Sequence, residues 1–279
     1  MVEYEKEVGQ LRTVTKVAKQ KKSSKRFNVY LDDEYAFSIS EDIYVKFHVH
    51  KGKQLSEEEI AEIQYEDSLH RAYTIAIQYL SYRMRTEREV RIHLQQKDVH
   101  PEAVEKVISR LYNEKLLDDW QFATAFVKDR MNRSTKGPLV IARELKEKGV
   151  SEVQIHEALT QYTIEKQKET ALKWLEKEVK KKTNKPHKKL KDLLLTKLLQ
   201  RGFSKEIAKD VINVINFEKD EDEEFLLLKK QADKLYTKYK NKYEGYELEM
   251  QLKQRLFARG FEMHQIDSYV SNLVNEETN

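Results

Sequence analysis

Cysteine is absent from this sequence of 279 residues, and helix-breaking residues are scarce, with only seven glycines and three prolines. Without cysteine, neither a disulfide framework nor a thiolate metal site can form. So few glycines and prolines disfavour a turn-rich all-β fold and agree with long helices. No apolar run reaches the roughly 18 residues that a membrane span needs, and the N-terminus has no apolar signal segment. We therefore expect a cytoplasmic protein that does not contact a membrane.

Charged residues make up 36% of the chain and hydrophobic residues 39%, which favours thin helical layers over a thick buried sheet. The net charge is only +4, but it is unevenly distributed. Residues 12–31 contain seven basic residues and no acid, and residues 172–191 contain nine lysines against two acids. The segment "EKDEDEE" at 218–224 is acidic and fits a connector that leads into a helix. Each basic run is either a surface for a polyanion or an ordinary solvated face.

The first 65 residues differ in composition from the rest of the chain. The segments "LRTVTKVAKQ", "RFNVYLDD" and "EYAFSIS" are short, β-branched and aromatic, and they are separated by polar residues. This pattern predicts a small antiparallel hairpin or three-stranded sheet. Two short helices are expected after it, the second beginning at Ser56 with Glu59 in capping-box spacing.

A repeated sequence pattern occupies the rest of the chain, from about residue 66 onward. The segments "HLQQKDV", "ELKEKGV", "KLLQRGF" and "RLFARGF" each have a leucine four residues before a turn residue, a base just before it and an apolar residue just after it. An apolar stripe at helical spacing follows each copy. The glycines in this pattern are typical of helix terminators, not of a ligand-binding loop. The turn residues are Asp98, Gly149, Gly202 and Gly260.

Spacings of 50 to 60 residues between these turns leave room for three short helices in each copy. We predict a mainly α fold: tandem three-helix repeats in an elongated, curved array, with a small antiparallel β-hairpin or sheet at the N-terminus. The predicted domains are residues 1–65 for the N-terminal part, followed by repeats at 66–117, 118–164, 165–220 and 221–279.

The second repeat contains residues that mark where its three helices begin. Helices are expected at about 119–132, 138–147 and 151–163, with Asp119 as an N-cap and Pro138 at a first helical position. Ser151 and Gln154 form another capping box.

Signatures of catalysis are missing. No glycine is followed by the Lys-Ser or Lys-Thr of a phosphate-binding loop, and there is no dinucleotide-binding glycine cluster and no HExxH motif. The pair Asp118 and Asp119 suits a helix N-terminus better than acid-base chemistry. We predict no enzymatic activity, no cofactor and no metal site.

Basic residues recur at corresponding places in the first two repeats, in "YRMRTEREVR" (82–91) and "FVKDRMNRSTKGP" (126–138). Such groups could contact nucleic-acid phosphates or carboxylates of a protein partner, and a purely solvated role is also open. The candidate contact residues are Arg83, Arg85, Arg88, Arg91, Lys128, Arg130, Arg133 and Lys136.

The segments "YLSYRMRTEREVRIHL", "LYNEKLLDDWQFATAFVKDR" and "GPLVIARELKEKGV" together resemble the RecX family of recombination regulators, over about residues 66–275. The segment "RFNVYLDDEYAFSISEDIYVKF" resembles the β-containing extension of its longer Gram-positive members. Each motif alone reflects capping and packing, but their order and spacing are specific.

This resemblance implies a monomeric, non-enzymatic protein that binds the filament of the recombinase RecA on single-stranded DNA. It would restrain ATP hydrolysis and strand exchange and favour filament disassembly, with single-stranded DNA contacted weakly or within the complex. The alternative from charge alone is a free-standing helical-repeat protein that binds DNA or RNA. Asp98 departs from the glycine of the other three turns, so its left-handed cap is expected to be less favourable.

Overall fold

The computed structural model describes residues 11–20, 25–181, 185–215 and 221–275. Within these ranges the chain forms four strands and thirteen helices, so the predicted mainly α fold with a small antiparallel sheet is confirmed. The chain divides into two compact units. The first unit is Met1–Phe122 with Lys148–Val150, and the second is Ala123–Glu147 with Ser151–Asn279.

The N-terminal sheet has four antiparallel strands in the order β3-β2-β1-β4, one more than the largest sheet predicted. Its strands are β1 (Arg12–Lys19), β2 (Arg26–Leu31), β3 (Glu34–Ser40) and β4 (Gln54–Leu55). The β2–β3 hairpin turns at Asp32 and Asp33, which both have positive φ, at 51° and 69°. Two left-handed residues match the twist of a two-residue hairpin, and Asp tolerates that conformation better than most residues.

The inner face of this sheet packs against α1 (Glu41–Lys46) and the first half of α2 (Glu57–Leu80). Ile63 of α2 is fully buried with the core residues of the strands. We expected a short second helix; instead, α2 runs for 24 residues through the predicted boundary at 65/66. Its second half supplies Ala72 and Ala76 to the next core. One helix therefore takes part in both hydrophobic cores of the first unit.

The first three-helix group consists of the second half of α2, α3 (Glu87–Gln95) and α4 (Pro101–Asn113). A capping box starts α3, because Thr86 Oγ1 accepts from Glu89 N–H and the Glu89 carboxylate accepts from Thr86 N–H in return. The predicted apolar stripe of α4 is buried from Val104 to Leu111.

The remaining helices form three further groups in sequence. In the second repeat, the structure has helices at 119–133, 138–147 and 152–159, close to the predicted ranges of 119–132, 138–147 and 151–163. Of the acidic segment at 218–224, residues 218–220 lie outside the described part and the rest begins α11. The helices are α5 (Asp119–Arg133), α6 (Pro138–Glu147), α7 (Glu152–Leu159), α8 (Ile164–Val179), α9 (His187–Gln200), α10 (Lys205–Val214), α11 (Glu221–Tyr239), α12 (Gly245–Ala258) and α13 (Met263–Asn275).

The predicted N-cap at Asp119 is wrong for α5. Asp118 Oδ1 accepts from Gln121 N–H at 2.9 Å, which is the capping contact three residues into the helix. The carboxylate of Asp119 instead accepts from Glu87 N–H, at the start of α3, at 2.8 Å. At the start of α9, His187 N–H donates to Glu224 at 3.1 Å in the same way. In both cases an acid at the start of one helix caps a helix 30 to 40 residues earlier in the chain.

The four turn residues have the left-handed conformation that a helix terminator needs, with φ of 57° at Asp98, 88° at Gly149 and Gly202, and 96° at Gly260. The glycine turns also pack against the first turn of an earlier helix. Thr86 Oγ1 donates to Lys148 O at 2.7 Å, and Gly137 N–H donates to Arg201 O at 2.7 Å. The three glycines therefore end their helices, as predicted, and their turns also pack against an earlier helix.

Candidate partner-binding surface

The first basic loop, residues 82–91, connects α2 to α3 and includes the first turn of α3. Arg83 contacts Glu89 at 3.1 Å, and Lys148 contacts the same carboxylate at 2.9 Å. Burial opposes ionisation of Glu89, but the hydrogen bonds from Arg83 and Lys148 outweigh it and lower the pKa of Glu89 to about 2. The charge of Arg83 is therefore partly neutralised within the protein.

A second arginine of this loop, Arg85, also has an internal partner. The Arg85 guanidinium lies 4.1 Å from the centre of the Tyr79 ring, which itself stacks on the His93 ring at 3.9 Å. Burial lowers the pKa of His93, and the nearby charges of Lys97 and Arg85 lower it further. A neutral imidazole in this stack avoids a second cation beside Arg85.

Arg91 lies between two carboxylates. Its Nε is 2.6 Å from Glu87 and its Nη2 is 2.9 Å from Glu105, which together hold the pKa of Arg91 above its usual range. Arg88 is also exposed, and the aliphatic part of its side chain borders the Gly149 turn.

In the second basic loop, residues 126–138, one carboxylate again lies between two cations. Arg130 Nε contacts Glu144 at 2.8 Å, and Lys136 Nζ contacts the other oxygen of Glu144. Although burial acts in the opposite direction, these hydrogen bonds lower the pKa of Glu144. Arg130 and Lys136 are thus held by α6 in the same way as Arg83 is held by α3.

The other two cations of this loop are more accessible. Arg133 is 83% exposed, with a 3.2 Å contact to Asp129 on the preceding turn, and Lys128 is exposed on α5. Exposed pairs one helical turn apart contribute little, roughly 0.3–0.5 kcal/mol, so the Arg133 guanidinium can exchange its partner at small cost. Such groups can accept a phosphate or a carboxylate from outside.

The eight predicted residues are therefore of two kinds. Arg83, Arg85, Arg91, Arg130 and Lys136 contact carboxylates or an aromatic ring within the protein, whereas Lys128 and Arg133 are exposed on α5 and Arg88 is exposed beside the Gly149 turn.

Sequence reasoning missed two apolar side chains of the first loop. Tyr82 is 83% exposed and Met84 is 44% exposed, directly beside Arg83. Tyr, Met and Arg are enriched at protein–protein interfaces, and large apolar side chains in a polar loop are the signal that could have identified them. With them, the first basic loop combines exposed apolar side chains with basic ones, the composition typical of protein-binding surfaces.

The described ranges of the chain contain neither a metal-ligand cluster nor a membrane-spanning helix. No group of three or more His, Asp or Glu side chains in those ranges could hold a metal ion. Within the same part of the chain, every helix is too short or too polar to span a bilayer.

Comparison with known proteins identifies a single family along the chain. The family model for the regulatory protein RecX N-terminal domain matches residues 12–56, and those for the first, second and third RecX three-helix domains match 72–111, 118–159 and 221–270. The helices α8 to α10 lie between the last two matches.

Curated relatives agree with these matches over nearly full length. The "Regulatory protein RecX" of Oceanobacillus iheyensis is 37% identical over 96% of this chain and 100% of its own length. That of Bacillus subtilis is 41% identical over 91% of this chain and 96% of its own length.

Two solved structures are also similar. One, described as a crystal structure of regulatory protein RecX, is 34% identical, with a TM-score of 0.64, and covers 73% of this chain and 100% of its own. A RecX structure from Lactobacillus salivarius is 31% identical, with a TM-score of 0.51, and covers 53% of this chain and 96% of its own. From its folded repeats, its N-terminal sheet and these relatives, the chain belongs to the RecX family of regulatory proteins.

Proposed function

We propose that this protein binds the RecA filament on single-stranded DNA and inhibits its ATPase activity, its strand exchange and its stability. The observation that supports this proposal is full-length similarity to regulatory proteins of the RecX family. The protein acts in the cytoplasm as a monomer, and its effect comes from binding, without catalysis of its own.

Successive three-helix groups suit this task physically. Each group offers its own basic or apolar contacts, and the groups are covalently joined, so that weak contacts to successive subunits of a filament add through effective concentration. The predicted elongated, curved array is tested by small-angle X-ray scattering, in which we expect a radius of gyration well above the roughly 19 Å of a compact 279-residue domain.

A titration of RecA ATPase activity on single-stranded DNA tests the proposal directly. Inhibition should occur at protein concentrations far below those needed to coat the DNA. If inhibition requires enough protein to coat the DNA, the protein competes for DNA as a free-standing nucleic-acid-binding protein and the proposal fails.

The exposed cations allow a residue-level test. Reversal of the exposed pair, Lys128→Glu with Arg133→Glu, should weaken binding to the filament about ten-fold or more while leaving the circular dichroism unchanged, since neither side chain is buried. Lys205→Glu with Lys209→Glu, on exposed positions of α10, is a control with the same change of charge.

Charge reversal at Arg130 would be harder to interpret, because it would place a second carboxylate beside Glu144 and disturb folding. If the Lys128 and Arg133 variant binds the filament as tightly as the control, the contact surface lies elsewhere on the chain. That result would leave the ATPase test above unaffected.

A further inference from the structure

The outer face of the N-terminal sheet is a feature that the proposed function leaves unused. The inner face is closed by α1 and α2, whereas the outer face carries side chains that reach solvent. The strand register places two cross-strand rows on this outer face. The sheet face, as we call it, consists of Lys16, Tyr30 and Tyr35 in one row and Ala18, Asn28 and Ser38 in the next.

The first row is aromatic and basic. Lys16 lies opposite Tyr30, and its Nζ is 5.3 Å from the centre of the Tyr30 ring. Tyr30 in turn lies opposite Tyr35, with ring centres 5.9 Å apart and ring planes at 77°. Tyr35 is 59% exposed, although tyrosine usually buries much of its ring. Tyr30 thus has contacts on both sides along the row, while Tyr35, at its end, remains largely exposed.

The second row is short and polar, so it does not obstruct the first. Ala18 lies opposite Asn28, and Asn28 lies opposite Ser38. The Asn28 amide accepts from Gln20 Nε2 at 2.8 Å, and Arg26 donates to Ser38 Oγ at 3.1 Å. A flat ring lying against Tyr35 would therefore meet amide and hydroxyl groups beside it, which can hydrogen-bond to the edge of a base.

The charges around this face favour a polyanion. None of its six residues is acidic, Lys16 is exposed, and Arg26, which donates to Ser38 Oγ, neutralises Asp67 at 2.7 Å. Acids do occur at the β2–β3 turn, but Asp32 is neutralised by Arg12 at 2.9 Å. Glu34 lies opposite Leu31, a buried residue of the inner face, so its side chain points to that side. Asp33, in the turn itself, is the remaining acid beside Tyr35.

We propose that the sheet face binds single-stranded nucleic acid, with one base stacked on Tyr35 and a neighbouring phosphate at Lys16. Three strands about 4.8 Å apart and two rows about 7 Å apart make a platform large enough for two or three nucleotides. Aromatic stacking with sparse cations binds unpaired bases, whereas duplex DNA keeps its bases stacked on one another. The polar second row disfavours an apolar protein surface as the occupant. This site does not depend on the proposed action on RecA.

Fluorescence anisotropy of the full chain with labelled oligonucleotides of about twelve nucleotides, in the absence of RecA, tests the site. Tyr35→Ser should weaken binding of oligothymidylate about ten-fold, because base–aromatic stacking is lost, while Tyr35→Phe keeps the ring and should bind like the wild type. Tyr246→Ser removes a tyrosine that is 77% exposed on α12 and is the matched control. Circular dichroism verifies that each variant is folded.

The proposal is overturned if Tyr35→Ser binds as tightly as the wild type, or if Tyr246→Ser causes the same loss. A second variant, Lys16→Glu, should lower affinity and reduce the dependence of binding on salt by about one phosphate contact. An unchanged salt dependence contradicts the role of Lys16. Comparison of oligouridylate with oligothymidylate distinguishes RNA from DNA, because the strand whose binding depends more strongly on Tyr35 is the ligand. If the protein binds neither oligonucleotide, the proposed site is overturned.

Discussion

The turn at Asp98 and the turns at Gly149, Gly202 and Gly260 share one left-handed backbone conformation but have different surroundings. Asp98 is exposed. A Cβ at the three glycines would lie 2.6 Å from Arg88 Cβ, 2.5 Å from Val140 N and 2.7 Å from Lys189 Cγ, respectively. Positive φ alone is therefore compatible with aspartate in this protein. Glycine is found where the turn also lies directly against another helix, so the two requirements can be separated by mutation.

The largest effect is expected from Gly202→Ala. Its Cβ would meet the backbone nitrogen of Val140, which cannot move aside without breaking the hydrogen bonds between the Gly202 turn and the start of α6. We expect the free energy of unfolding to fall by about 3 kcal/mol or more, because left-handed strain and overpacking act together. Urea unfolding followed by circular dichroism measures it.

Gly52→Ala is the matched control for this variant. Gly52 has a φ of 91°, but no atom lies within 4 Å of a Cβ placed there. Left-handed backbone strain alone should lower the free energy of unfolding by about 1 kcal/mol. Equal losses in the two variants would show that packing adds nothing at Gly202.

The Gly149 turn has a second, electrostatic attachment through Lys148 and Glu89, and Glu89→Gln should remove it. The pKa of Glu89 is about 2 in the folded protein, against 4.5 ordinarily, and its side chain is 18% exposed. A lowered folded-state pKa stabilises the protein above pH 4.5, and this stabilisation is lost as the pH falls towards 2. At neutral pH we expect a loss of about 2 kcal/mol.

Unfolding of the wild type and of Glu89→Gln at several pH values tests this assignment. The difference in free energy between them should shrink steadily below pH 4.5. Glu157→Gln, at an exposed position of α7, should have almost no effect at any pH. A constant difference at all pH values would mean that Glu89 acts through shape and not through charge.

At Gly260 the neighbouring atom belongs to a flexible side chain, so a smaller cost is expected. Gly260→Ala should destabilise by about 1.5 kcal/mol, since Lys189 can partly move away. In the background of Lys189→Ala the cost should fall to that of strain alone. A double-mutant cycle measures this coupling, and additive effects would place the strain elsewhere.

Asp98→Gly should have the smallest effect, and in the opposite direction. Relief of left-handed strain at an exposed aspartate is expected to stabilise the protein by about 0.5 kcal/mol. Thermal unfolding would detect it as a slightly higher Tm. A clear loss of stability would reveal a contact of the Asp98 side chain in solution.

Local signals in the sequence predicted much of the fold. Capping boxes, the first-turn proline of α6 and the leucine-base-glycine pattern located helix ends within a few residues, because each depends on neighbours along the chain. The length of α2 was missed because a capping signal at Ser56 predicts where a helix begins but not how far it continues.

The candidate surface was less predictable. Basic residues at corresponding positions looked equivalent, yet Arg130 is held by Glu144 while Arg133 remains exposed. Which arginine finds a carboxylate depends on how helices pack, and Asp119 likewise caps a helix 32 residues earlier. The sheet face also needed the strand register, since Lys16, Tyr30 and Tyr35 are adjacent only once the strands pair.

The long helix α2 has a mechanical consequence for the first unit. It is about 36 Å long, has neither glycine nor proline between Glu57 and Leu80, and has one end in the core of the sheet and the other in the core of the first three-helix group. A hinge needs residues that can change φ and ψ without breaking a helix, and this connection has none. We therefore expect the sheet and the first three-helix group to move together, so that a partner that displaces the sheet also displaces α3 and its basic loop.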